Sequence, residues 1–78
     1  MHIEIITPDS TVYTGEISLA QFPGKDGSFE ILNRHAPLIS VLKKGKIKLV
    51  DMEKQTRFFE VSGGVIEVRN NNIIVLAE

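Results

Sequence analysis

The 78-residue sequence contains no cysteine, so neither a disulfide framework nor a thiolate metal site can form, and a reducing compartment is the simpler expectation. Histidine is scarce: His2 and His35 are too few for a histidine-rich metal site, and no D-x-D-x-D loop supplies oxygen ligands for calcium. No metal or cofactor site is expected. The opening "MHIEIITPDS" lacks both the basic and the apolar region of a signal peptide. The longest apolar stretch, Ile73 to Ala77, covers five residues, against about 20 for a spanning helix. These absences predict a soluble chain without an export signal or membrane insertion. An excess of charge of one sign is missing too. Nine basic and 10 acidic residues give a net charge of -1, which provides no general attraction to nucleic acid or anionic lipid.

Helix-period stripes are hard to find. Short β-branched runs broken by turn residues recur instead, about every 8–12 positions, the spacing of a sandwich or barrel. Strands are expected at Ile3–Ile6, Val12–Phe22, Phe29–Leu32, Leu38–Leu42, Lys46–Met52, Thr56–Ser62, Val65–Arg69 and Ile73–Leu76. In the second, Ile17 and Leu19 are read onto one face, and Phe22 falls out of that period, so a bulge is expected near Ala20 and Gln21. The loop "PGKDG", Pro23 to Gly27, turns the chain. Gly63-Gly64 and Asn70-Asn71-Asn72 supply residues that tolerate positive φ at tight connections. The fold class expected is all-β: a two-layer antiparallel β-sandwich of about eight to ten short strands, one domain over residues 1–78, without linker or repeat. A core of this size supplies only a few kcal/mol, so stability gains from a partner.

Candidate chemistry is thin. Nucleophilic catalysis at His35 requires a converging serine and an orienting carboxylate, whereas Pro37 fixes Ala36 in an extended conformation and favours a structural or docking role. "GKDGS", Gly24 to Ser28, lacks the spacing and the following helix of a phosphate loop. "KKGKIKL", Lys43 to Leu49, has no interleaved aromatics for stacking nucleic acid, and its lysines suit a soluble exposed edge. "DMEKQ", Asp51 to Gln55, presents Lys54 on a hairpin beside Met52 and Glu53, as lipoyl and biotinyl carrier domains present their modified lysine, without either full motif.

Four separated motifs occur in a fixed order: "VYTGEI" at Val12–Ile17, "FPGKDGSFEILNRHAPLISVLKKGKI" at Phe22–Ile47, "FEVSGGVIEV" at Phe59–Val68, and the terminal "NNNIIVLAE". Together they resemble the epsilon subunit of the bacterial and plastid F-type ATP synthase, whose mitochondrial counterpart is called delta. The resemblance spans the whole chain. It implies a β-sandwich at the foot of the central stalk that binds the gamma subunit and the c-subunit ring. Such a subunit couples ring rotation to ATP synthesis and carries no active site. Thr7, His35 and Ser40 match positions that face gamma, while Lys25, Asp26, Gly27, Ser28 and Glu30 match the part that faces the ring.

Family members often carry glycine where Glu30 stands, proline or glycine at Asn33 and Arg34, and an acid at Ser28. Most also continue into a C-terminal helical hairpin that brakes ATP hydrolysis and in some bacteria binds ATP. This sequence stops at Glu78, as a naturally short subunit or a fragment would, and ATP binding by these 78 residues is not expected. The resemblance further implies a peripheral position at the cytoplasmic face of the bacterial inner membrane, with the plastid stroma as the other setting. A carrier domain modified at Lys54 and a hydrolase using His35 are the competing classes.

Overall fold

The computed structural model describes residues 1–78 and contains eight strands: β1 His2–Ile6, β2 Thr11–Gly24, β3 Gly27–Leu32, β4 Leu38–Leu42, β5 Gly45–Asp51, β6 Thr56–Val61, β7 Gly64–Arg69 and β8 Asn72–Ala77. Every expected strand is present. They form a continuously hydrogen-bonded sheet in the order β1-β8-β7-β4-β2-β5-β6, with β3 and β1 also pairing with β2. The long β2 folds this sheet into two layers. Its first half pairs with β1, beside β8, β7 and β4; its second half lies between β3 and β5, with β6 outside β5.

The bulge that lets β2 change layers lies at Ser18, where the register with β5 slips between Ile17 and Leu19. This corrects the expected position near Ala20 and Gln21. The inward residues are Ile17, Ala20 and Phe22, so Leu19 faces outward rather than sharing a face with Ile17. The bulge inserts one residue and inverts the alternation beyond it, which brings Phe22 back into the core. Two further details differ from the sequence reading. β1 and β8 pair in parallel, whereas all other pairs are antiparallel. β5, which carries Lys46 and Lys48, is central in its layer rather than an edge.

The core is one cluster of 16 buried apolar residues, dominated by isoleucine and valine from both layers with Phe22 among them. Tyr13 and Phe59 pack against it, with ring centroids 5.3 Å apart. The tight connections use the residues expected of them: Asn70 and Asn71 adopt φ of 53° and 62° between β7 and β8. Gly64 is strained for any other residue, since its φ is 143° and an added Cβ would lie 2.3 Å from the Leu76 carbonyl oxygen. The sequence "SGG" is thereby explained by the close approach of β7 to β8.

Candidate docking face

Register fixes which side chains lie together on the outer face of the β4-β7-β8-β1 layer. One row crosses the strands as Val41, Val65, Leu76 and Ile6. The next reads Ile39, Glu67, Ile74, Glu4 and Thr14, and a third is polar, with Arg69, Asn72, His2 and Glu16. The face therefore grades from hydrocarbon at one end of the strands to charge at the other. Ile39, Leu76 and Val41 are 71%, 54% and 53% exposed. Contiguous apolar surface of this kind marks an interaction site, whereas single exposed hydrophobic residues do not.

The polar row is organised internally. His2 Nδ1 lies 2.6 Å from Glu16 Oε2, and Thr14 Oγ1 lies 3.3 Å from His2 Nε2. At the same end of the layer, Arg34 adopts a φ of 64° and its N–H donates to Asn71 Oδ1 at 2.8 Å, while Asn71 Nδ2 donates to Asn33 Oδ1 at 2.9 Å. This side-chain clasp holds the β3–β4 loop against the β7–β8 turn. His35 follows it, exposed, and its ring Nδ1 donates to Ala36 O at 2.7 Å. Its side-chain hydrogen bond thus goes to the backbone rather than to a hydroxyl or carboxylate, so the geometry assembles no relay for a hydrolase at this residue.

The structure does not bring Thr7, His35 and Ser40 into one cluster. Thr7 opens the turn after β1, its N–H donating to Ser10 O at 2.8 Å, at the apolar end of the face. His35 lies at the polar end, about 16 Å away along the strand direction. Ser40 occupies the opposite side of β4 from Ile39 and Val41, half-buried opposite Ile66. The residues most exposed between them, Ile39, Val41, Val65, Ile74 and Leu76, escaped the sequence reading. A signal for them was available: "LISVL" and "NIIVLA" are apolar on both faces, which demands cover on both sides.

The β2–β3 hairpin carries the second set. Lys25 and Asp26 form its exposed two-residue tip, and Gly27 adopts a φ of 133°. Ser28 and Glu30 belong to β3 rather than to the tip; Ser28 Oγ accepts from Gln21 Nε2 at 3.3 Å. The tip is anchored to β4, because Lys25 N–H donates to Val41 O and Lys43 N–H to Pro23 O, both at 2.9 Å. An added Cβ at Gly24 would lie 2.5 Å from Gly27 O, so glycine is required there. The anchored tip lies at the apolar end of the outer face.

Lys54, the residue on which the carrier reading rests, sits in the β5–β6 turn with φ of 64°. The turn is organised by Asp51, whose Oδ1 accepts from Glu53 N–H and Gln55 N–H at 2.9 Å each and whose Oδ2 lies 3.4 Å from Arg57. The Gln55 N–H is the largest influence holding the Asp51 carboxyl below its ordinary range; partial burial acts against it, and Glu53 N–H and Arg57 reinforce it.

A family profile described as the β-sandwich domain of the ATP synthase delta/epsilon chain matches residues 1–78. The chain belongs to this family. It is similar to the ATP synthase epsilon chain of Alkalilimnicola ehrlichii, 36% identical over all of this chain and 56% of the relative. It is 40% identical to that of Chlorobium limicola over 97% of this chain and 86% of the relative. It thus spans little more than half of the first relative and most of the second. Among solved structures, a chain of the Tetrahymena thermophila mitochondrial ATP synthase central stalk and c-ring shares the fold, with a TM-score of 0.82 at 20% identity, over 99% of this chain and 62% of that one. Delta/epsilon-family chains are structural or regulatory subunits of a larger complex, and a peripheral place in a membrane complex is consistent with that membership.

Proposed function

We propose that this delta/epsilon-family chain is a non-catalytic central-stalk subunit. It binds the gamma subunit and the c-subunit ring, and so couples ring rotation to ATP synthesis at the cytoplasmic face of a bacterial membrane. The observation that carries the reading is the uncovered row Val41-Val65-Leu76-Ile6 with Ile39 beside it, on a layer whose other side is already the core. A small domain gains stability by burying such a row on a partner. The gamma subunit is the occupant favoured by family membership and by a structural neighbour from a central stalk.

On this reading Thr7 and His35 touch gamma at the two ends of the face. Ser40 supports it from beneath, and the tip of Lys25, Asp26 and Gly27, with Ser28 and Glu30 behind it, meets the ring. The test is co-purification of the chain with its cognate gamma subunit. Ile39→Asp and Leu76→Asp should abolish capture while the circular dichroism spectrum stays that of the wild type. Undiminished capture by both folded variants would remove gamma from this face.

A further inference from the structure

The middle row of the outer face alternates hydrocarbon and carboxylate across four strands: Ile39 on β4, Glu67 on β7, Ile74 on β8, Glu4 on β1. Both acids are half-buried, and neither has a cationic partner within the protein. Arg57–Asp51 is the chain's ion pair, and His2 Nδ1 hydrogen-bonds Glu16. Arg69, two residues along β7 on the same face, makes no ion pair with Glu67. Open grooves flank Glu67 on both sides. One, of 250 Å³, is lined by Glu67, Arg69, Asn70, Asn72 and Ile74; the other, of 390 Å³, runs between Glu67, Arg69 and the Pro37–Ile39 segment.

Resting on the docking reading above, we propose that Glu67 and Glu4 select the partner by receiving two basic side chains from one amphipathic helix laid across the strands. The spacing supplies the argument. Neighbouring strands are about 4.8 Å apart, so the two carboxylates project about 10 Å from each other with Ile74 between them. On a helix, residues seven apart lie on one face separated by about 10.5 Å, and the residue three or four along lies between them. A basic–apolar–basic pattern at i, i+4 and i+7 therefore sets each cation against an acid and the apolar residue on Ile74. A further apolar residue one turn before the first cation meets Ile39. Unpaired carboxylates flanking Ile74 also act against wrong partners, because an apolar or acidic helix would bury them uncompensated.

The test titrates cognate gamma subunit into the wild-type chain and into Glu4→Gln/Glu67→Gln by calorimetry, at about 50 and 300 mM salt. The double variant should bind roughly 10- to 100-fold more weakly at low salt and lose most of the salt dependence, with an unchanged unfolding midpoint. Two synthetic helical peptides of equal composition, with lysines seven or five residues apart, provide a second readout, and the chain should prefer the seven-residue spacing. Wild-type affinity and salt dependence in the double variant, while Leu76→Asp loses binding, would overturn the acid selection and leave the docking face intact. Wild-type binding by Leu76→Asp as well would overturn both. Equal binding of the two peptides would overturn the helix geometry.

Discussion

On the outer face of the β4-β7-β8-β1 layer, Val41, Val65 and Leu76 lie side by side with no long polar side chain in their row. On the outer face of the other layer, register sets Leu32, Leu19 and Val50 in one row, followed by Glu30, Gln21, Lys48 and Phe58; beyond these, Ser28 pairs with Pro23 and Lys46 with Glu60. Both faces contain exposed hydrocarbon; Phe58 is 60% exposed. On the second, Leu19 and Val50 are half-buried, and Gln21 and Lys48 lie half-buried in the adjoining row, where a lysine stem covers apolar surface while its ammonium stays in water. The difference is one of cover. On the first face the exposed apolar side chains of Ile39, Val41, Val65, Ile74 and Leu76 adjoin one another and wait for another surface, whereas on the second the exposed Leu32 and Phe58 stand in separate rows.

The strongest way to break the comparison is to disturb the first layer from within. Gly64→Val forces a side chain onto the Leu76 carbonyl oxygen at a φ that valine avoids, and should cost about 3–5 kcal/mol, enough to unfold most of so small a domain. The midpoint of urea unfolding reads this directly, and a loss below about 1 kcal/mol would show that β7 and β8 separate easily.

Next in size is a matched pair of surface changes. Val65→Asp on the first face should weaken gamma binding by about 2–4 kcal/mol, since a charge is placed at the centre of a desolvated contact. Phe58→Asp on the second face removes more exposed hydrocarbon and should leave binding within about 0.5 kcal/mol. Equal losses in a calorimetric titration would mean that both faces are covered in the complex.

Much of the fold was legible because strands of β-branched residues alternate with turn residues whose φ is constrained. Asn70-Asn71 and Gly63-Gly64 fall where the chain reverses. What stayed hidden depends on pairing between distant residues. The bulge at Ser18 is set by the mismatch between β2 and Asp51–Val50 of β5, and local periodicity offered Leu19 as a plausible inward residue. The parallel β1–β8 pair joins the two ends of the chain and leaves no local trace. The docking face was obscured for a related reason: by itself "IIVLA" is only an apolar run too short to span a membrane, and register alone shows Ile74 and Leu76 beside Val65 and Val41.

The second layer has its own sensitive point in Asp51. Its folded-state pKa lies below the ordinary carboxylate range, so its stabilising contribution is present above the unfolded-state value and fades as pH falls through the folded one. Unfolding midpoints should therefore drop on acidification across and below the ordinary aspartate range. Asp51→Asn should flatten that dependence while leaving gamma binding through the opposite layer unchanged. A pH profile in Asp51→Asn that superimposes on the wild type would assign the acid sensitivity to other carboxylates.

The smallest effect is expected at the hairpin tip, where the two layers meet through Gly24 and Leu42. Lys25 and Asp26 are exposed, and an exposed charge pair contributes only about 0–1 kcal/mol, so Asp26→Ala should be nearly silent in ring binding. The backbone of the tip is nevertheless fixed by its two hydrogen bonds to β4, so a change of charge there does not dissipate through loop motion. On the proposed ring contact, reversing Asp26 and Glu30 together to lysine turns any attraction to a basic surface into repulsion. ATP-driven proton pumping in membrane vesicles should then fall relative to ATP hydrolysis at low salt and recover as salt screens the charges. The same variant should bind isolated gamma like the wild type, because the tip borders the apolar face without belonging to it. Unchanged pumping and ring retention at low salt would remove Asp26 and Glu30 from the ring contact, while weakened gamma binding would extend the docking face around the end of β4 onto the hairpin.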